Sequence, residues 1–138
     1  MRTLSRLPSW MFSGITLLLI LWLTLAPKPL GAEPPVLFPG ADKIVHALMF
    51  GFLATMMLFD RQRKNRWKPA GWLTALTVGS ISSIIGICIE FAQNAMNLGR
   101  SFEISDILAD TAGALIASFL YVPAQKLWLD AIKKRNYN

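Results

Sequence analysis

The feature that most constrains this sequence is the alternation of four apolar blocks with linkers of contrasting charge. Each block is long enough, or nearly so, to cross a hydrocarbon core of ~30 Å, which takes a helix of about 20 residues. Of the 14 basic residues, eleven precede the first block (Arg2, Arg6), separate the second from the third (Arg61, Arg63, Lys64, Arg66, Lys68) or follow the fourth (Lys126, Lys133, Lys134, Arg135). The other two linkers hold only Lys28, Lys43 and Arg100. Basic residues stay on the cytoplasmic side of membranes. The pattern therefore predicts an all-α membrane fold: a four-transmembrane-helix bundle with both the N- and C-termini in the cytoplasm, in the cytoplasmic (inner) membrane.

The same distribution argues against nucleic acid as a partner. The net charge of +6 is spread among loops instead of gathered on one face. With 54% hydrophobic and 16% charged residues, too little polar chain remains for a second domain, so residues 1–138 read as one membrane domain. The single cysteine, Cys88, lies inside the third block, which excludes an internal disulfide and a cysteine metal cluster.

The first span is expected at about 10–26, retained and not cleaved, because Leu30-Gly31-Ala32 is a poor cleavage site. Pro27, Pro29, Pro34, Pro35, Pro39 and Gly40 then describe an external loop. Only sixteen uncharged residues separate Lys43 from Asp60, so the second span, about 42–59, must take in Asp42 and Lys43 at its outer end. Residues 60–68 read as a polar, basic cytoplasmic linker. The third span covers about 70–95 and carries Glu90, Gln93 and Asn94 outward. The fourth, about 106–124, is long enough only if it begins near Asp106 with Ser105 as N-cap, and Pro123 and Trp128 mark its inner boundary.

Three spans thus converge on the outer face with their polar residues. Ionisable groups inside spans cost roughly 2.5–3.5 kcal/mol each at the helix centre, so each needs a reason. Asp42 with His46, Glu90 with Gln93 and Asn94, and Asp106 with Asp110 are spaced three or four apart and share helix faces. Beneath them lie Gly79, Gly86 and Gly113, small residues that let helices approach closely in lipid. The candidate pocket comprises Asp42, Lys43, His46, Glu90, Gln93, Arg100, Ser101, Asp106 and Asp110. Asp42 and Asp106 also have a plain reading as helix caps, and His46 one as a satisfied interior histidine. Glu90 has the weakest such reading, because it sits in the C-terminal half of its helix with no basic residue beside it. Lys43 or Arg100 would neutralise the carboxylates or bind an anionic head group.

The segments Asp42-Lys43-Ile44-Val45-His46, Glu90-Phe91-Ala92-Gln93 and Gly99-Arg100-Ser101, followed by Asp106, Asp110 and Gly113, resemble the VanZ-like family of membrane proteins across about residues 42–117. Two positions depart from the family pattern: Asp110 stands where Asn is usual, and Ala117 where a Gly is expected. The family takes its name from a bacterial protein associated with reduced susceptibility to teicoplanin, a lipid-tailed antibiotic that acts at the outer membrane face. The resemblance implies a place in the cell envelope but no particular reaction.

Two classes of function stay open. One is a non-catalytic protein whose pocket binds a lipid, a lipid-linked wall intermediate, a lipopeptide-like amphiphile or another membrane protein. The other is an intramembrane enzyme using His46 with Glu90 or Asp106 for acid–base or metal-assisted chemistry on a lipid-linked substrate. A transporter would need a homo-oligomer, since four helices enclose little room. No zinc motif such as H-E-x-x-H, phosphate loop or paired nucleophile and base is present, so the enzyme reading ranks below the binding one; no metal or other cofactor is assigned, and whether His46 binds a metal stays open.

Overall fold

The computed structural model describes residues 7–26, 38–96 and 102–137, the last with side chains through Ile132 and at Lys134. Four helices account for nearly all of them: α1 (Met11–Leu25), α2 (Ala41–Lys64), α3 (Trp72–Met96) and α4 (Ile104–Tyr137). No strand occurs among the described residues. Helices α2, α3 and α4 are long and apolar enough to cross a membrane, whereas α1, with 15 residues, is shorter.

The helices wear their apolar side chains outside. Leu73 on α3 is 77% exposed and Leu18 on α1 68% exposed, with Leu48 and Phe52 on α2 and Leu108, Ile116 and Leu120 on α4 exposed alongside them. Buried positions include Ser82, Gln62, Glu90 and Asp110. A chain in water would reverse this arrangement, because exposed apolar area costs about 25 cal/mol per Å²; lipid removes that cost.

Helix α4 lies against α2 and α3, and α1 leans mainly on α2. Phe50, Leu53, Ala54 and Leu58 of α2 pack with Val78 and Ile89 of α3, Ala114 of α4 and Ile20 of α1. The closest approach is that of α2 to α4. A methyl group added at Gly113 would overlap the backbone of Ala47, and one added at Gly51 would lie 3.0 Å from the Gly113 carbonyl oxygen. Ala117 faces Gly51 across this contact, so the methyl that departs from the family pattern meets a residue without one. Methyls at Gly79 and Gly86 would press on α4 as well, against Leu115 and Asp110 respectively.

Helix ends differ from the sequence expectations in instructive ways. The helix α2 does begin at Ala41 and takes in Asp42 and Lys43, but its N-cap is Gly40, at φ +85°, without a side-chain cap bond. Asp42 therefore meets the helix dipole as a first-turn charge and not as a cap. Ser105 is not the N-cap of α4: the helix already starts at Ile104, the Glu103 carbonyl accepts from the Asp106 and Ile107 amides, and the Ser105 hydroxyl donates to Glu103 Oε2 at 3.1 Å. Pro123 does not end α4, which continues to Tyr137, because an interior proline removes a single N–H donor and need not stop the helix. At the other end α2 runs on to Lys64, past the expected limit near residue 59, and reverses through Arg66 and Trp67, both at positive φ. Trp67 is held in that turn by ring contacts with Phe59 and Trp128.

Candidate functional site

Polar residues collect where α2 and α4 begin and α3 ends. Lys43, on the first turn of α2, places Nζ 2.6 Å from Asp42, 2.5 Å from Glu103 and 2.7 Å from Asp106. This is the rim: Asp42 and Glu103 are exposed, Asp106 largely covered. The Lys43 ammonium and the Ser105 hydroxyl hold the Glu103 carboxyl below the usual glutamate range.

One turn deeper along α2 comes His46. Its Nδ1 is 3.0 Å from Asp110 Oδ1, and its Nε2 is 3.9 Å from Asp106 Oδ2. The i,i+4 spacing of Asp106 and Asp110 brings both carboxylates to the face of α4 that meets this ring. Asp110 is fully buried, and Gly86 of α3 makes room for it: a methyl there would lie 2.8 Å from Oδ2. Glu90, four residues beyond Gly86, comes from the third helix and is 1% exposed. Its Oε1 has no hydrogen-bond partner among the described residues. His46, Glu90 and Asp110 each offer a nitrogen or oxygen atom, and the three atoms lie within 4.8 Å of one another.

The sequence expectations divide accordingly. The structure brings Asp42, Lys43, His46, Glu90, Asp106 and Asp110 together. Gln93 lies apart, since its Nε2 donates 2.8 Å to the Thr24 carbonyl and ties α3 to the end of α1. It shares the Glu90 side of α3, but the rotation of that helix turns Gln93 toward α1. Asn94 is exposed. Arg100 and Ser101 lie outside the described residues.

Two features were not foreseen. Glu103 joins the rim from the residue before α4, and its only sequence signal was an acid just ahead of a helix start. The second is a buried polar group at the opposite end of the bundle, inside what read as a basic linker. Asp60 accepts from Arg63 Nη2 at 2.7 Å through Oδ1, and from the Ser13 amide at 2.8 Å and hydroxyl at 2.9 Å through Oδ2. Arg63 Nη2 also donates to the Pro8 carbonyl, and the guanidinium lies 5.0 Å above the Phe12 ring. Nearby, Tyr121 donates to Gln62, and Gln125 both accepts from and donates to the backbone of Ala70. A lone acid within a basic run, three residues before an arginine, was the available signal.

With this geometry in view, comparison with known proteins is decisive for the family. A family model described as VanZ/LLP1 matches residues 8–128. The chain belongs to the VanZ/LLP1 family. That span covers all four helix starts, both polar clusters and the α2 to α4 contact at Gly113. An uncharacterized protein of the fission yeast Schizosaccharomyces pombe is 30% identical over 137 residues, covering 95% of this chain and 79% of the relative. No solved structure matches.

Proposed function

We propose that this VanZ/LLP1-family chain is a cytoplasmic-membrane protein that crosses four times, with both termini inside, and that its His46 cluster holds the polar head of an amphiphile at the outer face. The unusual state of Glu90 carries this reading. A buried acceptor without a partner costs about 1–3 kcal/mol, more if charged, and a ligand donating to it recovers that cost. The exposed apolar faces around the cluster let an acyl tail stay in lipid while its head enters between α2, α3 and α4. Helix α1 reaches across with its flanking residues and modest bilayer thinning.

The amphiphile classes that suit such a site are an envelope lipid, a lipid-linked wall intermediate or a lipid-tailed antibiotic of the teicoplanin type. The relative in a yeast favours a membrane lipid over ligands confined to bacterial walls. An intramembrane enzyme is the second reading, favoured by the hydrogen bond between His46 and Asp110, which would orient the imidazole as a base.

Extraction of the protein in native nanodiscs, followed by lipid analysis, tests the first reading. The wild type should retain one lipid class above its share of the surrounding membrane, and Glu90→Gln and His46→Ala should lose that enrichment at near-normal abundance. Identical lipid profiles in all three would refute it; conversion of the retained lipid on incubation would favour the enzyme. Reporter fusions after residue 64 and at the C-terminus should read as cytoplasmic, and insertions near Glu33 and Arg100 as external.

A further inference from the structure

We propose that His46, Glu90 and Asp110 form a binding site for one divalent transition-metal ion of the Zn²⁺ class. These residues form no local metal motif, because the three ligands come from three helices and are separated by 44 and 20 positions. Only folding assembles them.

Geometry is the first support. Metal bonds to imidazole nitrogen and carboxylate oxygen are ~2.0–2.2 Å long, which sets ligand atoms of a tetrahedral site roughly 3.3–3.6 Å apart. The three donor atoms here lie within 4.8 Å of one another, close to that separation before any ion draws them in. Each donor is buried.

The second support is electrostatic. Removing a charged carboxylate from water costs several kcal/mol unless a cation accompanies it. The rim and the buried trio answer this requirement differently. Asp42, Glu103 and Asp106 also form a group of metal-ligand spacing, but the Lys43 ammonium already occupies their centre at 2.5–2.7 Å. No lysine or arginine among the described residues makes an ion pair with Glu90 or Asp110.

Glu90 supplies the independent observation. It is 1% exposed, its Oε1 accepts no hydrogen bond from a described residue, and its carboxylate lies beside both other donors. Gly86, one turn below on α3, leaves the space that the Asp110 carboxylate occupies. One imidazole and two carboxylates suit Zn²⁺, or Mn²⁺ and Fe²⁺ in its place, better than Mg²⁺ or Ca²⁺, which prefer all-oxygen shells. Three protein ligands leave a coordination position open. Resting on the amphiphile-binding reading, that position would take a phosphate or carboxylate oxygen of the head group, which an acidic cluster would otherwise repel.

The test uses the full chain in detergent, stripped with a chelator and titrated with Zn²⁺ by calorimetry, with metal content measured after desalting. The expected result is one Zn²⁺ per chain, weakened at least about tenfold by Glu90→Gln and by Asp110→Asn, since even outer-shell partners are worth 10–100-fold. Glu103→Gln, which changes a rim carboxyl paired with Lys43 and none of the three ligands, should leave affinity within about twofold, the margin within which groups without shared partners act independently. Circular dichroism and monodispersity establish that each variant is folded. A Co²⁺ spectrum of nitrogen and oxygen ligation, lost in His46→Ala, provides a second readout. Absence of stoichiometric binding in the folded wild type, or binding that follows Glu103 in place of Glu90, would overturn the site. If the wild type binds Zn²⁺ but retains its lipid equally well after chelation, the metal site stands and its link to the head group falls. Lipid retention without any metal binding sinks the metal site alone.

Discussion

The two ends of this bundle bury charged groups equally well and treat them in opposite ways. At the Asp60 end, one carboxylate meets one guanidinium, and both carboxylate oxygens have donors. At the His46 end, the imidazole pairs with Asp110, Glu90 lies beside them, and a Glu90 oxygen has no partner among the described residues. Burial by itself therefore does not mark a site. A carboxylate with donors on both oxygens fixes structure, as Asp60 fixes α1 to α2; a buried carboxylate oxygen left open is what a ligand needs.

The largest effect should come from breaking the closed end. Asp60→Ala removes a partner from a buried pair, a change that costs about 3–5 kcal/mol, and it also frees the Ser13 amide at the start of α1. Thermal unfolding in detergent should fall steeply and cellular abundance with it. If Asp60→Ala proved as stable as the wild type, the claim that this end is structural would fail, and with it the contrast.

Next comes the contact that sets both ends at their spacing. Gly113→Ala drives a methyl into the backbone of Ala47, which no side-chain rotation relieves. Overpacking of this kind costs about 1–3 kcal/mol. The shift of α4 away from α2 should also lengthen the His46 to Asp110 separation, so ligand retention should drop together with stability. A stable Gly113→Ala protein with unchanged retention would show that α2 and α4 do not need this approach.

Glu90→Gln sharpens the comparison from the open end. Replacing a carboxylate that has one open oxygen by a neutral amide should leave the melting temperature unchanged or slightly raised, because a buried charge is removed without stranding a cation. Function should be lost all the same. Stability that fell as far as in Asp60→Ala would mean that Glu90 completes a structural pair with a residue such as Arg100, and Arg100→Ala combined with Glu90→Gln should then restore it.

The sequence reveals these two ends unequally, and the reason is physical. The four apolar blocks declare themselves because lipid requires unbroken runs, and His46, Glu90, Asp106 and Asp110 stand out because each interrupts one. Asp60 and Arg63 escape notice because they lie where the run stops, among charges that look solvated; their burial depends on α1 covering them, which no local pattern encodes. The direction of Gln93 likewise depends on where α1 sits. Glu103 required knowing that α4 returns to the start of α2, 60 residues away in sequence.

The smallest expected effect belongs to the rim, which is more exposed than either buried end. Lys43 holds the Glu103 carboxyl below its ordinary value of 4.5 by hydrogen bonding and charge. A carboxylate whose pKa is lower in the folded state stabilises the fold above its unfolded pKa and loses that contribution as pH falls through the folded value. Glu103→Gln should therefore lower the melting temperature slightly at pH 7, by the same margin at pH 5.5, and by less at each step below the ordinary glutamate range. High salt should shrink the margin at neutral pH too, because both partners are partly exposed and screened. The buried trio should not respond to salt, being shielded from mobile ions. A margin that grew on acidification would mean that Glu103 is protonated more easily in the folded protein than in the unfolded one, which is incompatible with an ammonium 2.5 Å away.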